Sequence, residues 1–237
     1  MVSRTRCLAA FLFLLSSFTL RGNQPDRFKN AWEIGFTFGE IPFLSGSFKP
    51  GLTLGFHLND RLSFSTTYQL KDYLERNDQS YNARNIGLEG LLSSKETTGE
   101  RLVFAVHYRP VDWSPYLVAG LVINRADIET MRFDNREREI GENTYRSVMT
   151  LVQKRGSGIV PALGFGYRYD FDNGLSLNTN MAMGFFNDIA TPEVTISGSP
   201  NLSEADSHLL KTRMDEAFRG NFHNRYHIFN LGVLYRF

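Results

Sequence analysis

The chain is poor in cysteine, has no large excess of charge and lacks the composition of a bundle of membrane helices. Its 237 residues include one cysteine, 26 basic and 25 acidic residues, for a net charge of +1. A single thiol excludes an internal disulfide and a metal site built from cysteines. Near-neutral charge gives no reason to expect a nucleic-acid partner. The mean hydropathy is −0.28 although 42% of the residues are hydrophobic, which excludes several membrane-spanning helices.

Aromatic residues are abundant, and many short stretches alternate between apolar and polar residues. The chain contains 20 Phe and 10 Tyr. Because successive side chains of a strand point to opposite faces, each alternating stretch predicts a strand with one apolar face. The clearest stretches begin at Trp32, Leu52, Leu62, Leu102, Ile159 and Leu175. Short turns are predicted at Asn59-Asp60, at 110–114 and at Asp172-Asn173-Gly174. A soluble sandwich with its apolar faces inward would show the same alternation.

The last strand predicted from the sequence extends to the final residue and is apolar at every second position. It carries the pattern Asn230-x-Gly232-x-x-Tyr235-x-Phe237. This pattern resembles the C-terminal insertion signal of bacterial outer-membrane β-barrel proteins. The stretch Pro115-Tyr116-x-x-Ala119-Gly120 is also similar to a strand start of the small barrels of the outer-membrane-protein-A and opacity type. Both faces of that stretch are apolar, so the sequence does not show which face points to lipid.

The resemblance implies an all-β fold, namely a closed antiparallel up-and-down transmembrane barrel in a Gram-negative type of outer membrane. Eight strands are predicted, and ten remain an alternative if 86–92 and 145–152 both cross the membrane, because the strand number of such barrels is even. Long external loops are predicted near 71–100, 125–158 and 187–223, with a helix from Ser203 to Arg219. The expected partners are outer-membrane lipids and the barrel-assembly machinery, which in that family reads the C-terminal strand.

The first 24 residues predict a secretory signal peptide, and residues 25–237 the barrel. Arg4 and Arg6 precede an uncharged, mostly apolar run from Cys7 to Leu20, which is short for a membrane-spanning helix. The alternation fits a soluble sandwich as well, and it is this segment together with the C-terminal strand that favours lipid. Cleavage after Thr19 or after Gly22 stays open.

No constellation of residues predicts a catalytic, cofactor or metal site. His223 and His227 are four residues apart, but no third metal ligand accompanies them. Some outer-membrane barrels modify lipids with a serine, a histidine and an acid on the barrel wall, and an enzyme of this kind stays an alternative. The residues that it would use are Ser63, Ser65 or Ser176 with His107 or His227.

Five charged residues are predicted to face the barrel lumen. They are Glu33, Arg109, Arg168, Asp170 and Arg236. Single buried charges are costly, so we expect them to pair and to form a polar plug, since eight strands enclose only enough room for side chains. The predicted function is therefore structural, or surface recognition of an extracellular ligand by the external loops. A narrow channel for small or apolar solutes is the alternative.

Overall fold

A computed structural model describes residues 29–39, 49–80, 86–111, 115–185, 193–197, 202–222 and 225–237. For residues 155, 185, 193–197, 218–222 and 225–229 it describes the backbone alone. The predicted signal peptide lies outside the described residues and stays a prediction.

The described chain forms thirteen strands and one helix. In chain order they are β1 (Ala31–Gly39), β2 (Lys49–His57), β3 (Leu62–Gln69), β4 (Asp72–Asn77), β5 (Leu91–Thr98), β6 (Arg101–Tyr108), β7 (Pro115–Asn124), β8 (Asp127–Ile140), β9 (Asn143–Arg155), β10 (Gly158–Asp170), β11 (Leu175–Phe185), β12 (Glu193–Ser197), α1 (Glu204–Phe222) and β13 (Arg225–Arg236).

Eight of these strands close into an antiparallel barrel in the order β1-β13-β11-β10-β7-β6-β3-β2. Each barrel strand therefore pairs with the next barrel strand along the chain, and β13 returns to β1. At this seam the Phe237 backbone N–H donates to Trp32 O (2.9 Å), and the Trp32 N–H donates to Phe237 O (3.2 Å). The predicted eight-stranded barrel is confirmed and the ten-stranded alternative is wrong.

The apolar faces of the barrel strands point outward, as their alternation predicts. Phe36 is 68% exposed, whereas Glu33 and Thr37 on the same strand are buried. The structure also settles the orientation of β7, whose two faces are both apolar. Tyr116 is 4% exposed and faces the lumen, while Leu117 is 54% exposed and faces outward. The barrel thus has an apolar outer wall and an interior of mostly polar and small residues, with a few larger apolar side chains such as Tyr116, Val122 and Leu234.

The segments predicted as loops at 71–100 and 125–158 are largely β-structure. Strands β4, β5, β8 and β9 extend four neighbouring barrel strands beyond the barrel, and β12 adds to β9, giving a five-stranded sheet in the order β12-β9-β8-β5-β4. The segment 145–152 is thus a strand of this second sheet and not of the barrel. In 125–158 the many charged residues obscured the alternation of apolar and polar residues that is typical of strands. Met131, Phe133, Met149 and Leu151 are its buried apolar positions.

Helix α1 packs on one face of the second sheet, and together they form what we call the loop domain (β4, β5, β8, β9, β12 and α1). Ser203 caps the helix, because its Oγ accepts the Asp206 backbone N–H over 3.1 Å. The domain has its own core, made of Ile86, Met131, Phe133, Ile140, Met149, Leu151, Leu210, Met214 and Ala217. The described residues include no helix with the length and hydropathy needed to cross a membrane.

Candidate functional site: the lumen and the loop domain

A charged network occupies the turn end of the barrel, which we define as the end with the turns 58–61 and 171–174 and the short connection between β6 and β7. Arg168 is its centre. Its Nη1 donates to Glu33 Oε2 (2.5 Å) and its Nε to Asp170 Oδ1 (2.7 Å). Its Nη2 donates to Ser176 Oγ (2.6 Å). His57 Nε2 lies 2.9 Å from the same Glu33 oxygen. Four strands therefore contribute to one network across the lumen.

Glycines on the barrel wall make room for this network. A Cβ on Gly55 would lie 2.5 Å from Glu33 Oε1, so the carboxylate rests directly on the bare backbone of β2. On the opposite side, a Cβ on Gly166 would lie 2.2 Å from Cζ of the Tyr116 ring. A Cβ atom cannot lie at these distances, so a larger residue at Gly55 would displace the Glu33 carboxylate and one at Gly166 would displace the Tyr116 ring.

The space left inside the turn end is small. A cavity of about 20 Å³ lies between His57, His107, Arg109, Tyr116 and Arg168. A volume of this size holds about one water molecule and no larger solute. Of the other predicted lumen charges, Arg109 lines this cavity, and Arg236 lies opposite Glu33 in the pairing of β13 with β1.

Further hydrogen bonds join inward side chains towards the loop end of the barrel, the end that carries the loop domain. Gln69 Nε2 of β3 donates across the lumen to Asn230 Oδ1 of β13 (2.7 Å), and Arg101 Nε donates to Asn124 Oδ1 on the adjacent strand (3.0 Å). Lys49, which is fully buried, donates to the Gly99 carbonyl oxygen. Polar side chains from several strands therefore meet at both ends of the barrel.

Several of these residues are absent from the predicted set of lumen charges, and Ser176 was considered only for an enzyme. The prediction selected Asp, Glu, Lys and Arg on the inner face, which leaves out His57, Ser176 and Gln69. Lys49 begins its strand, next to a segment that alternation did not assign. A search for every polar residue at an inward position would have found the first three, because alternation places them on the lumen side.

The residues of the predicted insertion signal lie in β13 and at its end. Asn230 and Gly232 face the lumen, where Asn230 Nδ2 donates to Asn180 Oδ1 (3.0 Å). Tyr235 and Phe237 face outward and are 48% and 69% exposed. The recognition of this strand by an assembly machinery stays a prediction.

Two of the residues considered for an enzyme lie next to each other. Ser65 Oγ is 3.4 Å from His107 Nε2, and the centres of the His107 and Tyr116 rings are 5.0 Å apart. Ser176 Oγ accepts a hydrogen bond from Arg168 Nη2. His223 and the side chain of His227 lie outside the described residues, and no group of His, Asp or Glu among the described residues could hold a metal ion.

Two carboxylates, those of Asp206 and Glu129, accept hydrogen bonds that connect different segments of the loop domain. Asp206 accepts hydrogen bonds from Tyr145 Oη (2.5 Å), Asn143 Nδ2 (2.7 Å) and Ser203 Oγ (2.7 Å), which tie the start of α1 to β9. These bonds, that of Tyr145 most strongly, hold the pKa of Asp206 below its usual range. Glu129 is buried and accepts from Ser94 Oγ (2.5 Å). Ser80 Oγ also donates to Glu129, over 2.7 Å.

Comparison with known proteins places the fold. No family model and no curated protein matches the sequence. The solved structure of CarO from Acinetobacter baumannii superposes with a TM-score of 0.55 at 12% identity, covering 86% of this chain and 97% of CarO. CarO2 from the same organism gives a TM-score of 0.57 at 14% identity, covering 91% of this chain and all of that one. Both are eight-stranded outer-membrane barrels.

This chain has the fold of an eight-stranded outer-membrane β-barrel. The likeness shows the fold, and the outer wall of the barrel agrees with a lipid environment. Exposed apolar side chains cover every barrel strand whose side chains are described, among them Phe36, Leu54, Phe104, Leu121 and Phe165. A continuous apolar surface of this kind is stable against lipid and would aggregate in water.

Proposed function

We propose that the barrel is closed to solutes, carries no enzymatic site and acts through the loop domain at the cell surface, in a structural role or in surface recognition. The observation that carries this proposal is that the long connections build a sheet and a helix around a hydrophobic core of their own. Connections that only join barrel strands need a few residues, as the turn 171–174 illustrates.

The lumen supports the closed state. Arg168 is 4% exposed and bonds to both Glu33 and Asp170, so the charges of the turn end compensate one another. Opening a path there would separate these charges in a medium of low dielectric, which is costly. In the other half of the lumen, Gln69 donates across the interior to Asn230, which in turn donates to Asn180 on the adjacent strand. A channel would require the ion pairs at the turn end and the hydrogen bonds at the loop end to break.

The asymmetry of the two ends supports a loop domain that faces the outside. Outer-membrane barrels have short periplasmic turns and long external connections. The three short turns of this barrel lie at one end, together with Trp32 and Phe237. The loop domain lies at the opposite end, where it is available to an extracellular ligand, while the assembly machinery would meet the C-terminal strand from the periplasm.

Cysteine labelling on intact cells tests the orientation. The chain offers a matched pair, Glu142→Cys in the exposed β8–β9 turn and Asn173→Cys in the exposed short turn, and its native cysteine lies in the predicted signal peptide. A maleimide that cannot cross membranes is expected to label the first variant on intact cells, and the second only after the outer membrane is permeabilised. The reverse pattern would contradict the proposed orientation.

Conductance in planar bilayers tests the closed lumen. The purified barrel, checked by its slower migration on a gel after boiling, is expected to produce no stable current steps. Steady ohmic conductance would refute the closed lumen and favour the channel alternative. Release of fatty acid from outer-membrane lipid that is lost in a His107→Ala variant would instead refute the non-enzymatic reading.

A further inference from the structure

The loop domain contains a cavity much larger than the one in the lumen. It has a volume of about 480 Å³ and lies between the end of β4, the start of β5 and the middle of β8. The lumen cavity, by comparison, measures about 20 Å³. Because cavities of roughly 300–1,000 Å³ are the size that accepts small organic ligands, the loop domain has room for one.

The walls of this cavity are held in place by hydrogen bonds to the sheet. Asp78 directly follows β4 and ends it with a φ of 55°, in the left-handed region. Two residues further on, the buried Ser80 donates from its Oγ to Glu129 Oε1 over 2.7 Å. On the β5 side, the Gly90 carbonyl oxygen accepts the Asp134 backbone N–H over 2.9 Å. Fixed walls lower the cost of ordering the site when a ligand binds.

Apolar and polar side chains both line the cavity. Leu88 and Leu91 are partly buried and Phe133 is fully buried, whereas Asp78 and Gln79 are exposed to solvent. A carboxylate accepts hydrogen bonds from hydroxyl groups, and a carboxamide both donates and accepts them. A sugar ring has matching groups, because its C–H bonds form an apolar face and its hydroxyls surround that face.

The charges beside the cavity are bonded to one another. Asp134 accepts hydrogen bonds from Arg136 Nη2 (2.7 Å) and from Arg138 Nη2 (2.6 Å), and Arg138 Nε donates to the Glu89 carbonyl oxygen (2.9 Å). Among the described residues that line the cavity, Asp78 is the only charged one. An anionic ligand would therefore meet a like charge, whereas a neutral ligand meets no repulsion.

We propose that this cavity, which we call the Asp78 cavity, binds a neutral sugar unit. Asp78 and Gln79 form hydrogen bonds with its hydroxyls, and Leu88 and Leu91 pack against its C–H face. The inference rests on the proposed function, in which the loop domain recognises a ligand outside the cell, and it gives that ligand a chemical class and a site.

Binding of sugars to the folded full-length barrel in detergent micelles tests the proposal. The probe is an array of immobilised neutral mono- and disaccharides, which also carries amine-bearing and sulfated sugars. Dephosphorylated core oligosaccharide of lipopolysaccharide is included, so that a sugar of the surrounding membrane is distinguished from one on a separate glycan. We expect a neutral saccharide to be retained, with a dissociation constant by calorimetry that does not depend on NaCl, because a neutral ligand is not subject to charge screening.

The first test variant is Asp78→Asn, because asparagine keeps the size of the side chain and tolerates the left-handed backbone. Loss of the negative charge weakens the hydrogen bonds to hydroxyls, and we expect about tenfold weaker binding. The second test variant, Gln79→Trp, places a larger side chain in the cavity, and we expect it to abolish detectable binding. If one test variant does not fold, as judged by the heat-dependent gel shift, the other decides.

The matched controls make the same kinds of change outside the cavity. They are Glu142→Gln and Thr144→Trp, both at exposed positions around the β8–β9 turn. We expect both controls to bind within about twofold of the wild type, since surface substitutions away from a site have small effects.

Three results would overturn the proposal: retention of no neutral saccharide, unchanged binding by either test variant, or a preference for amine-bearing or sulfated sugars that weakens as NaCl is raised. Binding in micelles does not depend on orientation in a cell. A reversed orientation in the labelling experiment and a failure of sugar binding are therefore separate outcomes.

Discussion

Replacing Arg168 with methionine tests how much the lumen network stabilises the barrel. Arg168 donates to Glu33, Asp170 and Ser176 over 2.5–2.7 Å. Methionine fills much of the same space but carries no charge. Because leaving a buried carboxylate without its partner costs about 3–5 kcal/mol, we expect the free energy of unfolding to fall by about that amount.

The second variant, Glu33→Gln/Arg168→Met, removes the carboxylate that the first variant leaves without its arginine partner. We expect it to recover at least half of the lost free energy, since Asp170 is nearer the open end of the lumen. Urea unfolding in lipid vesicles, followed by tryptophan fluorescence, measures both changes, because Trp32 lies on the outer wall at the barrel seam.

Lys95→Met provides the control for loss of a single positive charge. Lys95 pairs with Glu75 at 3.3 Å, but its side chain is 61% exposed, so we expect a change below about 1 kcal/mol. The reasoning would be refuted if Arg168→Met also cost less than 1 kcal/mol, or if the double variant were no more stable than the single one.

Three further predictions concern the loop domain and the barrel seam. Met214→Ala removes a buried side chain from the core of the loop domain; it should destabilise that domain by about 2–5 kcal/mol and speed its proteolysis, with the heat-dependent gel shift unchanged. The pKa of Asp206 is lowered, so its hydrogen bonds stabilise α1 fully above about pH 4, and this stabilisation is lost as the pH falls through the lower pKa of the folded state. The rate of hydrogen exchange in α1 should therefore rise in acid, and it should rise less in the variant Asp206→Asn. Deletion of Phe237 removes two backbone hydrogen bonds to Trp32 and part of the predicted insertion signal, and it should lower recovery in the outer membrane, whereas Phe171→Ala in a turn should not.

The sequence by itself determined the barrel and the direction of most of its side chains. Alternation needs no long-range information, because the outward positions of a lipid-facing strand are apolar whatever strand lies beside it. Trp32, Ile34 and Phe36 therefore indicated the outer wall, and Glu33, which alternates with them, is buried in the structure. Strand β7 was the exception, because Tyr116 and Leu117 are both apolar enough for either face.

Only the tertiary structure decided which inward residues meet. Glu33 and Arg168 are 135 positions apart, and their contact depends on closure of the barrel and on the space that Gly55 leaves. The sequence did not predict the loop domain for a related reason. Its strands bury one face against α1 and expose the other to water, so charges such as Arg132 interrupt the pattern, and the apolar face becomes recognisable only once Leu210 and Met214 cover it.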